Sequence, residues 1–176
     1  MPGAKRRLAL LCLLLAGCAG PVVPQRSPQI QAQDTDLGRT VTAAIRVLDA
    51  TAFRTVTATA WEGRVLLTGA VVKPEQRQRA EHAAAALTGP DQLQDEIQLT
   101  EADGLERFLP DSPREHALKA RLTANYDVRV VNGVAYLLGH AATAQDAEAA
   151  KETLLAEPGV KWVVPALIPI PGLQAP

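Results

Sequence analysis

Val131-Asn132-Gly133-Val134-Ala135-Tyr136-Leu137-Leu138-Gly139 decides the fold, because its counterpart stands 70 residues earlier as Trp61-Glu62-Gly63-Arg64-Val65-Leu66-Leu67-Thr68-Gly69. In the later stretch Tyr126, Val128 and Val130 alternate into Asn132-Gly133, a strong hairpin signal, and Ala135 and Leu137 return toward a core. In the earlier one Val56, Ala58 and Ala60 lead into Glu62-Gly63, with Val65 and Leu67 beyond it. Working outward in the same register, Ala80 meets Ala150, Gly89 meets Gly159, Leu93 meets Val163 and Ile97 meets Leu167, without a gap. Several glycines in one register imply two copies of one small unit.

The flanks of each hairpin carry helical spacing. Leu37, Val41, Ala44, Ile45 and Leu48 follow the period of an amphipathic helix, and Pro74 suits the first turn of a second one striped by Ala80, Ala83, Ala84 and Leu87. Leu93, Ile97 and Leu99 supply a closing strand. In the second copy Ser112-Pro113-Arg114-Glu115 reads as a capping box, Thr143 starts a helix lined by Ala147, Ala150 and Leu154, and Pro158-Gly159 ends it. Pro165 has no amide to donate, which places the last strand at a sheet edge. The expected class is α+β: two tandem sandwiches, each helix, hairpin, helix, strand, over residues 34–104 and 105–176, the latter with a Pro-rich tail. Gly69 and Gly139 are expected near strand ends, packed closely by helices.

At these residues the chain resembles the BON family, the bacterial osmotic-shock and nodulation domain. That family's signature runs from alternating Val/Ile through Asn-Gly and Val-x-Leu-x-Gly to a helix, then Gly-Val before a final strand. Gly159-Val160-Lys161-Trp162-Val163-Val164 completes it here, and the resemblance covers nearly all of residues 34–168. Two departures stand out. Gly89 is followed by Pro90-Asp91 where the family has valine, and Pro113-Arg114-Glu115 stands where relatives can carry an aromatic membrane contact.

The N-terminus reads as a lipoprotein signal. Lys5-Arg6-Arg7 precedes an apolar run from Leu8 to Leu15, which ends in Leu15-Ala16-Gly17-Cys18. Residues 1–17 would be removed and Cys18 would carry diacylglycerol and a further acyl chain such as palmitate. The run is far shorter than the ~20 residues of a membrane-spanning helix. Cys12 leaves with the signal, so no disulfide or cysteine cluster remains for the mature chain. Residues 18–33, rich in proline and glutamine, read as a lipidated N-terminus and tether. Bacterial lipoproteins resembling this one are retained on the inner membrane when aspartate follows the cysteine; Ala19 follows here, which implies the periplasmic face of the outer membrane.

Signal, tether and two such units together resemble dual-BON outer-membrane lipoproteins of Gram-negative bacteria. The resemblance implies a role in envelope integrity, anionic phospholipid binding by the second unit, and localisation to division sites. Losing Lys5, Arg6 and Arg7 lowers the basic count from 18 to 15 against 19 acidic residues, so no broad nucleic-acid surface is expected.

Catalytic and metal chemistry find little support. His82, His116 and His140 match no zinc spacing and read as solvent-facing, and no nucleophile elbow, P-loop or dinucleotide fingerprint is present. Asp95-Glu96, Glu101 and Asp103 read as a solvated acidic connection. The expectation is a non-enzymatic protein without cofactor or metal.

The two sheets differ on their outward faces. Arg64, Leu66, Thr68, Gln94, Glu96 and Gln98 are mostly polar, whereas Val134, Tyr136, Leu138, Val164, Ala166 and Ile168 are apolar, with Trp162 beside them. Such a face either packs on the other copy or the tail, or makes Tyr136, Leu138 and Trp162 an interaction surface for membrane or protein. Arg114, His116, Lys119 and Arg121 make one helix face basic, and each such charge near an anionic leaflet contributes about 1 kcal/mol. A solvated helix face, diluted by Glu115, is the plain alternative. The expected function is phospholipid association that maintains the envelope; the alternative is a protein-interaction module of an outer-membrane assembly or secretion complex.

Overall fold

Each hairpin turns on two successive residues of positive φ: Glu62 and Gly63 at 50° and 79°, and Asn132 and Gly133 at 50° and 77°. Positive φ at both central positions is the signature of a type I′ turn, whose twist matches that of paired strands. The computed structural model describes residues 25–167. The signal, Cys18, the first part of the tether and the tail with Ile168 lie outside them.

In the first unit β1 (Thr57–Trp61) pairs antiparallel with β2 (Arg64–Thr68), followed by the short β3 (Ala70–Val71). The closing strand comes in two pieces. β4 (Leu93–Asp95) runs parallel to β2, and β5 (Gln98–Leu99) runs parallel to β3. In the second unit β6 (Tyr126–Val131), β7 (Val134–Gly139) and β8 (Trp162–Leu167) form one sheet in that order. β8 is therefore an edge, and Pro165 is exposed on it. The helices are α1 (Pro28–Leu48), α2 (Pro74–Thr88), α3 (Ser112–Lys119) and α4 (Ala144–Leu155).

Three cores hold these elements. Val41 and Ile45 of α1 and Ala80 and Ala84 of α2 pack on Val65, Leu67 and Ile97. Leu118 of α3 and Ala150 and Leu154 of α4 pack on Val128, Ala135 and Leu137. Between the sheets lies a third, formed by Trp61, Leu66, Ala70, Val131, Tyr136 and Leu138 with Leu105 and Phe108 of the connecting 3₁₀ turn. The order of layers is helices, sheet, sheet, helices.

Several local expectations need correction. α1 begins at Pro28, six residues before the expected boundary, because Ser27 caps it by accepting the Ile30 amide at 3.2 Å and Pro28 occupies its first turn. About a third of the segment read as tether is thus helix. The cap of α3 is Asp111, which accepts the Arg114 amide at 3.2 Å, so Ser112 lies inside the helix. Glu115 makes no capping box; it turns inward, 5% exposed, and accepts the Val130 amide at 2.9 Å. Leu87 and Leu99 are about half exposed. Gly69 and Gly139 are packed by the chain entering the hairpin and not by helices: a Cβ on Gly139 would stand 2.1 Å from the Asn125 carbonyl, and one on Gly69 2.3 Å from that of Thr55.

Candidate functional surfaces

The apolar face of the second sheet splits in two. Tyr136 and Leu138 are 2% and 3% exposed, covered by Leu66, Trp61 and the connecting turn, so this part of the face packs on the other copy. Trp162, 66% exposed at the start of β8, lies outside that cover. Burial pushes the Tyr136 hydroxyl up to about 12, helped by the charge of Glu96 and opposed by a hydrogen bond with Gln98.

Polar contacts frame the buried interface. Arg129 Nε donates to Thr59 Oγ1 at 2.8 Å, and its Nη1 pairs with buried Glu115 at 2.8 Å. His140 Nε2 lies 2.7 Å from Glu62 Oε2, with its ring edge-on to Trp61 at 6.4 Å between centroids. The Arg26 guanidinium stacks 3.4 Å over the Trp61 ring and pairs with buried Asp34 at 2.6 Å. Thr59 and Arg129 hold the same position in the two copies and meet here, and Leu66 and Tyr136, also equivalent, share the core between the sheets.

The four basic residues of the second unit are brought together on and just after α3, but three of them are already paired. Arg114 pairs with Asp111 and donates to the Pro158 carbonyl at 3.1 Å; Lys119 pairs with Asp127 at 2.7 Å and Arg121 with Glu157 at 2.8 Å. His116 is exposed. The face is basic in sequence yet largely neutralised in the fold. His82 is also exposed, whereas His140, read as solvent-facing, sits in the interface at 13% exposure.

Asp95 is likewise no solvated linker. Its carboxylate takes Arg77 at 2.8 Å, raising the Arg77 pKa, and accepts the Ile97 amide at 2.9 Å. Among the described residues no group of three His, Cys, Asp or Glu could hold a metal ion, and no helix is long and apolar enough to cross a membrane.

The hairpins, their glycines and the flanking helices, apart from the first five residues of α1, fall within residues 33–101 and 110–168, and both segments match the BON domain. The chain belongs to the BON domain family. A curated relative described as an uncharacterized protein in the gshII 5′ region of Anaplasma centrale is 32% identical over 120 residues, which is 64% of this chain and 80% of the relative. Among solved structures this BON protein is similar to CdsD, a structural protein of the type III secretion system of Chlamydia trachomatis, at 18% identity and a TM-score of 0.32. That match covers 78% of this chain and 65% of that one, so the chain spans just under two thirds of it. The C-terminal domain of CdsD gives 18% identity and a TM-score of 0.33, covering 78% of this chain and 67% of that domain. Both superpositions are loose, and nothing about function follows from them.

Proposed function

We propose that this BON protein is a non-enzymatic, lipid-anchored component of the bacterial envelope, held through Cys18 at the periplasmic face of the outer membrane, where it associates with anionic phospholipid and supports envelope integrity. The observation that carries the reading is how little chain separates the expected anchor from the folded part. With α1 starting at Pro28, only residues 19–27 lie between it and Cys18, and nine residues reach at most about 30 Å. The body therefore stays against the leaflet that holds the acyl chains. The buried carboxylates are spent on the fold itself. Asp34 holds the Glu62 and Gly63 amides, and Glu115 holds Val130 and Arg129.

The pairing of Arg114, Lys119 and Arg121 changes how phospholipid contact is tested. Reversing these charges would break three internal ion pairs and confound binding with stability. The cleaner experiment is flotation of the mature chain carrying Cys18→Ala with phosphatidylglycerol vesicles and with phosphatidylcholine vesicles. The expected result is flotation with the anionic vesicles alone, weakening as salt shortens the Debye length from ~10 Å at 0.1 M to ~3 Å at 1 M. Absence of flotation with either vesicle would remove the phospholipid part of the reading.

A further inference from the structure

An open cleft of about 980 Å³ runs between α1 and the second unit, floored by the β1 strand from Thr57 to Ala60 and walled on the far side by residues of α3 and β6. The floor is not free for strand pairing, because α1 lies over it. Thr42 Oγ1 accepts the Ala58 amide at 2.9 Å, and a Cβ on Gly38 would stand 3.0 Å from the Ala58 carbonyl. An occupant must therefore be recognised by side chains.

The charges of the cleft are unevenly satisfied. Its carboxylates are committed internally: Asp34 to Arg26 and two amides, Glu115 to Arg129 and Val130, and Asp127 to Lys119. The arginines of the α1 wall are not matched in the same way. Among the described residues Arg46 reaches the Arg54 carbonyl, at 3.4 Å, and Arg39 pairs with Asp36 where both side chains are 75% exposed. Water competes well for such a pair. Arg39 and Arg46 stand seven residues apart on the helix, about 10.5 Å along its axis.

We propose that this cleft binds an extended acidic segment of a protein partner. A groove excludes a flat bilayer surface but admits a single chain. In a polyproline-type segment side chains three residues apart lie on one side at a spacing of about 9.3 Å, close to that of the two arginines. The proposal concerns a different kind of partner from phospholipid, and peptide binding and vesicle flotation read the two separately.

The test uses the mature chain carrying Cys18→Ala and fluorescein-labelled peptides of repeating Glu-Pro-Ala or Gln-Pro-Ala, read by fluorescence anisotropy. The glutamate peptide is expected to bind and the glutamine peptide not to. The Arg39→Glu, Arg46→Glu double variant should weaken binding by about tenfold or more, and the Arg39→Lys, Arg46→Lys variant should retain most of it. Unchanged circular dichroism shows that the variants fold. The proposal is overturned if both peptides bind alike, if neither binds, or if the glutamate variant binds as well as wild type. It is also overturned if that variant loses flotation with phosphatidylglycerol vesicles while keeping the peptide, which would assign the arginines to lipid.

Discussion

Gly139 holds φ at 133° with the Asn125 carbonyl where a Cβ would go, so two separate costs meet at one residue. Gly139→Val should lower stability by more than about 1 kcal/mol, and the combination of backbone strain and close approach puts the expected loss nearer 2–3 kcal/mol. A melting temperature equal to wild type would show that the glycine has no structural role. Tyr136 offers a pH test at the same scale. Its hydroxyl ordinarily titrates near 10, and burial raises this to about 12 in the folded state. The folded protein then holds the proton more tightly than the unfolded chain. The stabilisation is complete below pH ~10 and is lost as the pH rises toward 12. Melting measured at pH 8 and pH 11 should show a larger drop for wild type than for Tyr136→Phe; equal drops would mean that the hydroxyl is not held neutral by the interface.

Among the elements, α3 depends on a residue that points away from solvent. Glu115 satisfies the Val130 amide and neutralises Arg129, which in turn reaches Thr59 of the first unit. Glu115→Ala would leave a buried amide and a half-buried guanidinium without that partner, and should cost about 3–5 kcal/mol. Chemical denaturation gives the value directly, and a loss below ~1 kcal/mol would deny the link. Ser-Pro-Arg-Glu has capping spacing, and only the place of Asp111 and the edge of β6 in space give Glu115 its other role. The hairpins were legible because Asn-Gly and Glu-Gly stand between alternating runs, and their 70-residue register showed the duplication. Ser27-Pro28 is itself a helix start signal, but the glutamines after it carry no apolar stripe, which hides the start of α1. The pairing of Arg121 could not be read, because Glu157 lies 36 residues away and nothing local joins them, whereas Asp111 stands only three residues before Arg114.

For the molecule as a whole, burial of Tyr136, Leu138 and Leu66 between the sheets ties the two units into one body. Fully burying such a side chain contributes roughly 1.5–3 kcal/mol. Wild type should therefore unfold in a single transition, and Leu138→Asp should split it or lower it by several degrees in calorimetry. Two transitions in wild type would mean that the sheet-to-sheet contact is weak. That body, with equivalent positions of the two copies facing each other, is what the N-terminal segment would hold at the leaflet. The proposed attachment through Cys18 is tested most directly by fractionating cells that carry Cys18→Ala. The account predicts that the variant leaves the outer-membrane pellet and appears as a soluble periplasmic protein, whereas a variant that pellets as completely as wild type would contradict it.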